Sequence, residues 1–129
     1  MRTAACSCGQ LRLRCEGEPI RVSMCHCLAC QKRTGSPFAV QARWPVERVT
    51  IEGNATEYVR VGDEGGRASF RFCPTCGVAM YYIAEAMPDL VAVPVGVFGE
   101  PTFPPPTYSV YSTRRHPWCT TTLTLEEYD

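Results

Sequence analysis

The chain has 129 residues, a length that holds one domain and excludes two full catalytic domains, since independent cores occupy roughly 100 to 200 residues each. Hydrophobic residues make up 45% and charged residues 20%, a balance too apolar for a disordered tail. The 13 Lys and Arg residues equal the 13 Asp and Glu residues, so the basic excess that phosphate binding demands is missing and nucleic acid is not an expected partner.

Apolar runs such as 90–95 fall far short of the roughly 20 residues that a membrane span needs, and residues 1–20 hold no signal-like apolar stretch. The expectation is one soluble domain over residues 1–129, cytoplasmic and without a membrane partner.

In chain order, residues 10–16 alternate. Leu11, Leu13 and Cys15 fall on one face and Arg12, Arg14 and Glu16 on the other, the period-two pattern of a half-buried strand. A helix of a turn or two is expected from Leu28 to Arg33, closed by Gly35. Residues 49–51 and 57–61 read as strands. The stretch Gly62-Asp63-Glu64-Gly65-Gly66 tolerates positive φ, and Ala68, Phe70 and Phe72 alternate with Ser69 and Arg71 on a return strand, so a β-hairpin is expected here.

Further strands are expected over 78–83, 90–97 and 108–112, with Pro94 demoting part of the second to an edge. A second short helix is expected near 84–87, and Phe103-Pro104-Pro105-Pro106 reads as an extended surface crossing. The 11 prolines and 10 glycines punctuate the whole chain, which makes the expected class mainly β with little helix.

Nine cysteines in 129 residues is a density of stapled secreted domains or of metal proteins. The odd count and the missing secretion signal favour metal, because cytosolic thiols are held reduced. Seven of the nine lie in three clusters: Cys6-Ser7-Cys8-Gly9, Cys25-His26-Cys27-Leu28-Ala29-Cys30 and Cys73-Pro74-Thr75-Cys76-Gly77. The last resembles a zinc knuckle, two thiolates on a tight turn followed by a glycine that lets backbone amides face the sulfurs.

A closed structural zinc site takes four protein ligands, whereas a catalytic site keeps three and an open position. Joining the two glycine-terminated clusters gives a closed site of Cys6, Cys8, Cys73 and Cys76 and leaves Cys25, Cys27 and Cys30 as the candidate reactive centre. The spacing also permits Cys27 and Cys30 to join Cys73 and Cys76; two metal ions against one separates these partitions. A thiol entering an open position on zinc would lose its proton, since zinc favours thiolate. The competing reading of the trio is a second structural site completed by His26 or a distant residue; otherwise His26 lies behind the ligands or at the surface. Cys15 reads as a small buried hydrophobe and Cys119 as packing. Tyr81, Tyr82, Phe98, Tyr108 and Trp118 read as core or cleft wall.

The order CxCG at 6–9, GEP at 17–19, CHCxxCQKRTGSPF at 25–38, FCPTCG at 72–77 and VGVFGEP at 95–101 resembles the glutathione-dependent formaldehyde-activating enzyme family, which includes centromere protein V. The resemblance implies a tent-like fold of small antiparallel sheets, related to that of methionine sulfoxide reductase B. It implies two zinc ions per chain, structural at Cys6, Cys8, Cys73 and Cys76 and catalytic at Cys25, Cys27 and Cys30. It further implies a carbon–sulfur lyase that uses glutathione as co-substrate, with S-hydroxymethylglutathione as the adduct with formaldehyde.

Lys32, Arg33, Thr34 and Ser36, just past the trio, are candidates to receive the carboxylates of such a tripeptide through charge-assisted hydrogen bonds. The closing VYS and RHPW stretches also resemble the family, but Ser109 stands where its members often carry histidine. Two readings from other classes remain: a non-catalytic thiol carrier and a zinc-stabilised interaction module.

Overall fold

The computed structural model describes residues 1–62 and 65–129. Its strands are β1 (Arg2–Ala5), β2 (Arg12–Cys15), β3 (Arg21–Cys25), β4 (Ala39–Pro45), β5 (Val49–Glu52), β6 (Thr56–Val61), β7 (Arg67–Phe72), β8 (Ala79–Ala84), β9 (Leu90–Pro94), β10 (Tyr108–Val110) and β11 (Glu126–Glu127). The α-helix among the described residues is α1 (Leu28–Thr34). A three-stranded sheet runs β1-β2-β5, and an eight-stranded sheet runs β11-β10-β3-β4-β9-β8-β7-β6. The mainly β class is as expected. Pairing is antiparallel except at β10, which runs parallel to both β3 and β11.

The alternation over 10–16 becomes β2, and Leu11, Leu13 and Cys15 are fully buried. The β6–β7 hairpin forms in the register Tyr58↔Phe70, while the expected turn residues Asp63 and Glu64 lie outside the described residues. Helix α1 ends as expected: Gly35 takes the left-handed conformation, φ 69°, and its N–H donates to the Gln31 carbonyl.

Two expectations are corrected. Pro94 does not make an edge: β9 is central, between β4 and β8, and Pro94 is its last residue, after which the chain turns into a 3-10 segment (Val95–Phe98). Residues 84–87 form no helix. They begin a tight turn in which Met87 N–H reaches the Ala84 carbonyl, and Pro88 follows, so the chain reverses straight into β9.

Paired residues point to the same side of a sheet, so the register assigns the faces of the large one. One face carries Val22, Ala42, Trp44, Val91, Val93 and Tyr81, and it packs on Leu13, Cys15 and Ala4 of the small sheet to form the main core. Trp44 sits at its centre, fully buried, with Phe98 and Phe103 against its ring and its indole N–H donating to the Gly17 carbonyl. The Pro-rich crossing is therefore anchored at Phe103. The other face carries Cys25, Ser23, Gln41, Arg43, Tyr82, Phe70 and Tyr58 in one continuous set of paired positions. That face holds the candidate site.

Candidate metal centres and the adjoining cleft

Cys6 and Cys8 lie just past β1, and Cys73 and Cys76 form the knuckle between β7 and β8. The four sulfurs come together within 4.8 Å of one another. Cys8 Sγ stands 3.6 Å from both Cys6 Sγ and Cys73 Sγ. Four sulfurs around one zinc at about 2.3 Å would stand roughly 3.8 Å apart, so the cluster fits a tetrahedral ion with little movement.

Donors converge on these sulfurs as they would on thiolates: Leu11 N–H on Cys6 Sγ (3.3 Å), and Gln10 Nε2 (3.0 Å) and Thr75 N–H (3.4 Å) on Cys73 Sγ. Burial alone would raise the Cys73 thiol, but donation from Gln10 and the Cys76 and Thr75 amides brings it down to about 5.

Cys25 ends β3, Cys27 caps α1, and Cys30 is the buried residue of that helix. Their sulfurs also lie within 4.8 Å of one another, with Cys25 and Cys27 at 3.3 Å. Among the described residues no fourth Cys, His, Asp or Glu joins them. Cys27 and Cys30 do not gather with the knuckle, whose sulfurs group with those of Cys6 and Cys8. Cys30 N–H donates to Cys27 Sγ at 3.3 Å. Hydrogen bonds from Cys25 and Cys30 pull the Cys27 thiol down to about 2, while those with Cys27 and Cys30, together with burial, push Cys25 up. Cys27 is the least buried of the three.

His26 is not a surface residue. It is 1% exposed, packs on Phe38 and leaves Nδ1 without a partner, while its sulfur neighbours face elsewhere. Its backbone N–H donates to the Val110 carbonyl, and its own carbonyl accepts from Gln31 Nε2 at 2.8 Å. Gln31 Oε1 in turn meets His116 Nε2 at 2.9 Å, so the C-terminal RHPW stretch braces the trio's loop. Ser109 pairs with Met24, one position off Cys25, and its Oγ meets Ser112 Oγ; it faces away from the trio's side of the sheet. Cys15 and Cys119 are buried and belong to neither cluster, whereas Trp118 is largely exposed and is no core residue.

Beside the trio a cavity of about 500 Å³ opens between α1 and the β6–β7 hairpin, lined by Lys32, Arg33, Tyr58, Arg60, Phe70 and Phe72 among others. Phe70 and Tyr82 stack at 4.7 Å, and the Arg33 guanidinium lies over both rings, 5.5 and 5.6 Å from their centroids. Arg33 Nη2 reaches to 3.9 Å from Cys30 Sγ, and Arg33 Nε is buried without a partner. Arg60 lies over Phe70 at 4.9 Å. Burial pushes the Tyr82 phenol up, and Arg43 Nη2 donates to its oxygen at 3.3 Å.

Of the expected ligand contacts, Lys32 and Arg33 line this cavity. Thr34 and Ser36 instead line a second groove beside the Pro-rich crossing, and Thr34 Oγ1 is engaged with the Cys30 carbonyl. Arg60 and Tyr58 escaped the sequence reading. Their signal was present in the hairpin, where they share a face with Phe70, but nothing in β6 alone ties them to the cysteines.

Taken together these features define a small β protein with one four-sulfur cluster and one three-sulfur cluster, the latter joined through Arg33 to a cleft lined by cations and aromatic rings. Residues 1–114 match the family described as glutathione-dependent formaldehyde-activating enzyme, and the chain belongs to that family. A crystal structure of a Rhodobacter sphaeroides protein, determined as a structural genomics target, is similar in fold: TM-score 0.60, 23% identity, covering 80% of this chain and 91% of that one. No curated protein matches the chain. Among the described residues no helix is long and apolar enough to cross a membrane.

Proposed function

We propose that the chain is a zinc-dependent enzyme of the carbon–sulfur lyase type, acting on the adduct of glutathione, or of a similar thiol, with a small aldehyde such as formaldehyde. The observation that carries this reading is the three-sulfur cluster, which gathers no fourth protein ligand among the described residues, next to a cleft lined by Lys32, Arg33 and Arg60. Cys25, Cys27 and Cys30 would hold the catalytic zinc, and Cys6, Cys8, Cys73 and Cys76 the structural one. The bound ion supplies acidity, lowering the pKa of a thiol placed at the open corner.

The chain's own residues do the rest. Arg33, Arg60 and Lys32 offer fixed and mobile cations to the carboxylates of a tripeptide, and the stacking of both guanidiniums on Phe70 limits the entropy lost when they engage. Arg33 Nε is a buried donor not yet used. Gln31 and His116 hold the loop so that the sulfurs keep their spacing. In the condensing direction the thiol sulfur bonds to the carbonyl carbon, and the proton lost from sulfur ends on the new hydroxyl oxygen. Lysis reverses both movements. No disulfide joins any of the nine cysteines, which leaves the seven clustered sulfurs available to a metal.

The test is Cys27→Ser, judged by turnover and zinc content together. A variant that keeps one zinc per chain and loses turnover supports the assignment, and unchanged turnover refutes it. Adduct formation no faster than with free thiol, alongside calorimetric thiol binding by the wild type, would make the protein a carrier instead.

A further inference from the structure

Strand β6 is the last of the eight-stranded sheet, and its outer side has no partner among the described residues. It is a six-residue edge, where β11 at the other end of the sheet has two residues. Exposed edges in soluble proteins are commonly blunted by Lys or Pro, yet this one displays Tyr58, Val59 and Val61, exposed by 62%, 41% and 56%.

The hydrogen bonding shows which amides face outward. Gly62 N–H donates to the Gly66 carbonyl at 2.7 Å, so position 62 faces β7. Arg67 gives its carbonyl to Glu85 N–H at 2.9 Å and therefore faces β8, which leaves its partner Val61 facing the open side. Alternation then turns the N–H and C=O groups of Glu57, Val59 and Val61 outward.

We infer that β6 pairs antiparallel with β6 of a second copy, about a two-fold axis through Val59. The register is self-complementary. Val59 meets Val59 as a mutually hydrogen-bonded pair, Val61 meets Glu57, and Arg60 meets Tyr58 at a close, non-hydrogen-bonded position suited to a cation–π contact. Axes through Glu57 or Arg60 would set like charges face to face. An axis through Tyr58 would place Arg60 against Thr56 and forfeit the cation–π pairs. In the Val59 register, Glu57 keeps its ion pair with Arg71 (3.0 Å) on the other face from Tyr58 and Arg60.

The axis stands normal to the sheet, so both clefts open on the same face of one continuous sheet. Tyr58 of each copy abuts Arg60 of the other, at the wall of the cavity that Tyr58 and Arg60 line. The second copy thereby completes the outer rim of each cleft.

Sedimentation of the zinc-loaded chain across roughly 1 µM to 1 mM tests this without reference to any thiol. The wild type is expected to pass from one-chain to two-chain mass in that range. Val59→Lys, which sets two like charges on the axis, is expected to weaken the dimer by about 10-fold or more, and Val59→Thr to keep it. Hydrogen exchange on the wild type reads the seam directly: the amides of Glu57, Val59 and Val61 slow down with rising concentration while that of Tyr58 does not change. A chain that stays monomeric throughout, a dimer indifferent to Val59→Lys, or outward amides that exchange alike at both ends of the range would each overturn the inference.

Discussion

Replacing Arg33 by alanine tests the cleft more sharply than replacing a metal ligand, because it separates substrate binding from zinc. Arg33 rests on Phe70 and Tyr82, holds Nη2 3.9 Å from Cys30 Sγ and keeps Nε free of any partner. A charge-assisted hydrogen bond to a carboxylate contributes about 1.5 to 3 kcal/mol, and loss of one such contact corresponds to a factor of roughly 10 to 150. Since Arg33 is half-buried, solvent screening places the expected effect toward the lower end, a rise in KM for the thiol adduct of about 10- to 30-fold.

Zinc content should stay at the wild-type value, because Arg33 is no ligand. Arg33→Lys should recover only part of the loss: it keeps the charge but neither the fork nor the stacking on two rings. Steady-state kinetics with metal analysis on the same samples decides it. An unchanged KM in Arg33→Ala at full zinc occupancy would show that the cationic cleft does not hold the substrate.

Other outcomes follow from the same geometry. Mild chelation should remove one zinc per chain readily and a second only with unfolding, as metal analysis against circular dichroism would show, because among the described residues the trio gathers no fourth ligand to close its corner against a competing one. Cys73→Ser should lower the melting temperature by roughly 10 °C or more, since the closed cluster ties the N-terminal hairpin to the knuckle. Trp44→Ala should cost about 3 to 5 kcal/mol in denaturant unfolding, as the side chain is fully buried between Phe98 and Phe103. Burial raises the Cys15 thiol from its ordinary 9.0 to about 11, so the folded state holds that proton more tightly than the unfolded chain. The stability it contributes is whole below pH 9 and is lost as pH rises through 11; Cys15→Ala should therefore flatten the decline of melting temperature over that window.

What could be read from the chain depended on which faces of a strand meet water. β2 was legible because its arginines point outward while Leu13 and Cys15 point in, and the β6–β7 hairpin because Phe70 and Ala68 alternate with polar neighbours. β3 and β4 were not: their burial is nearly continuous, since the core covers one face and the site covers the other, and Ser23, Gln41 and Arg43 break any apolar run. Strand β3 delivers Cys25, so the trio was found from its spacing and not from the element that positions it. The cation of Arg33 was within reach because it follows the trio in sequence. Arg60 arrives from the far side of the sheet, a placement that only the pairing order fixes.

That pairing order also couples the two sulfur clusters. The knuckle of Cys73 and Cys76 joins β7 to β8, and residues on either side of it, Phe72, Gly77 and Ala79, line the same cavity as Ala29 and Arg33 of the trio's helix. Gly77 holds φ at 78° there, and its N–H closes the turn on the Cys73 carbonyl. A metal ion held by the four sulfurs at this turn would therefore fix one wall of the cleft without touching what the cleft binds. Lost activity in a Cys73 or Cys76 variant would report that wall giving way, and the discriminating sign is its company: a lowered melting temperature together with a raised KM, where a trio variant should lose turnover with the melting temperature nearly unmoved.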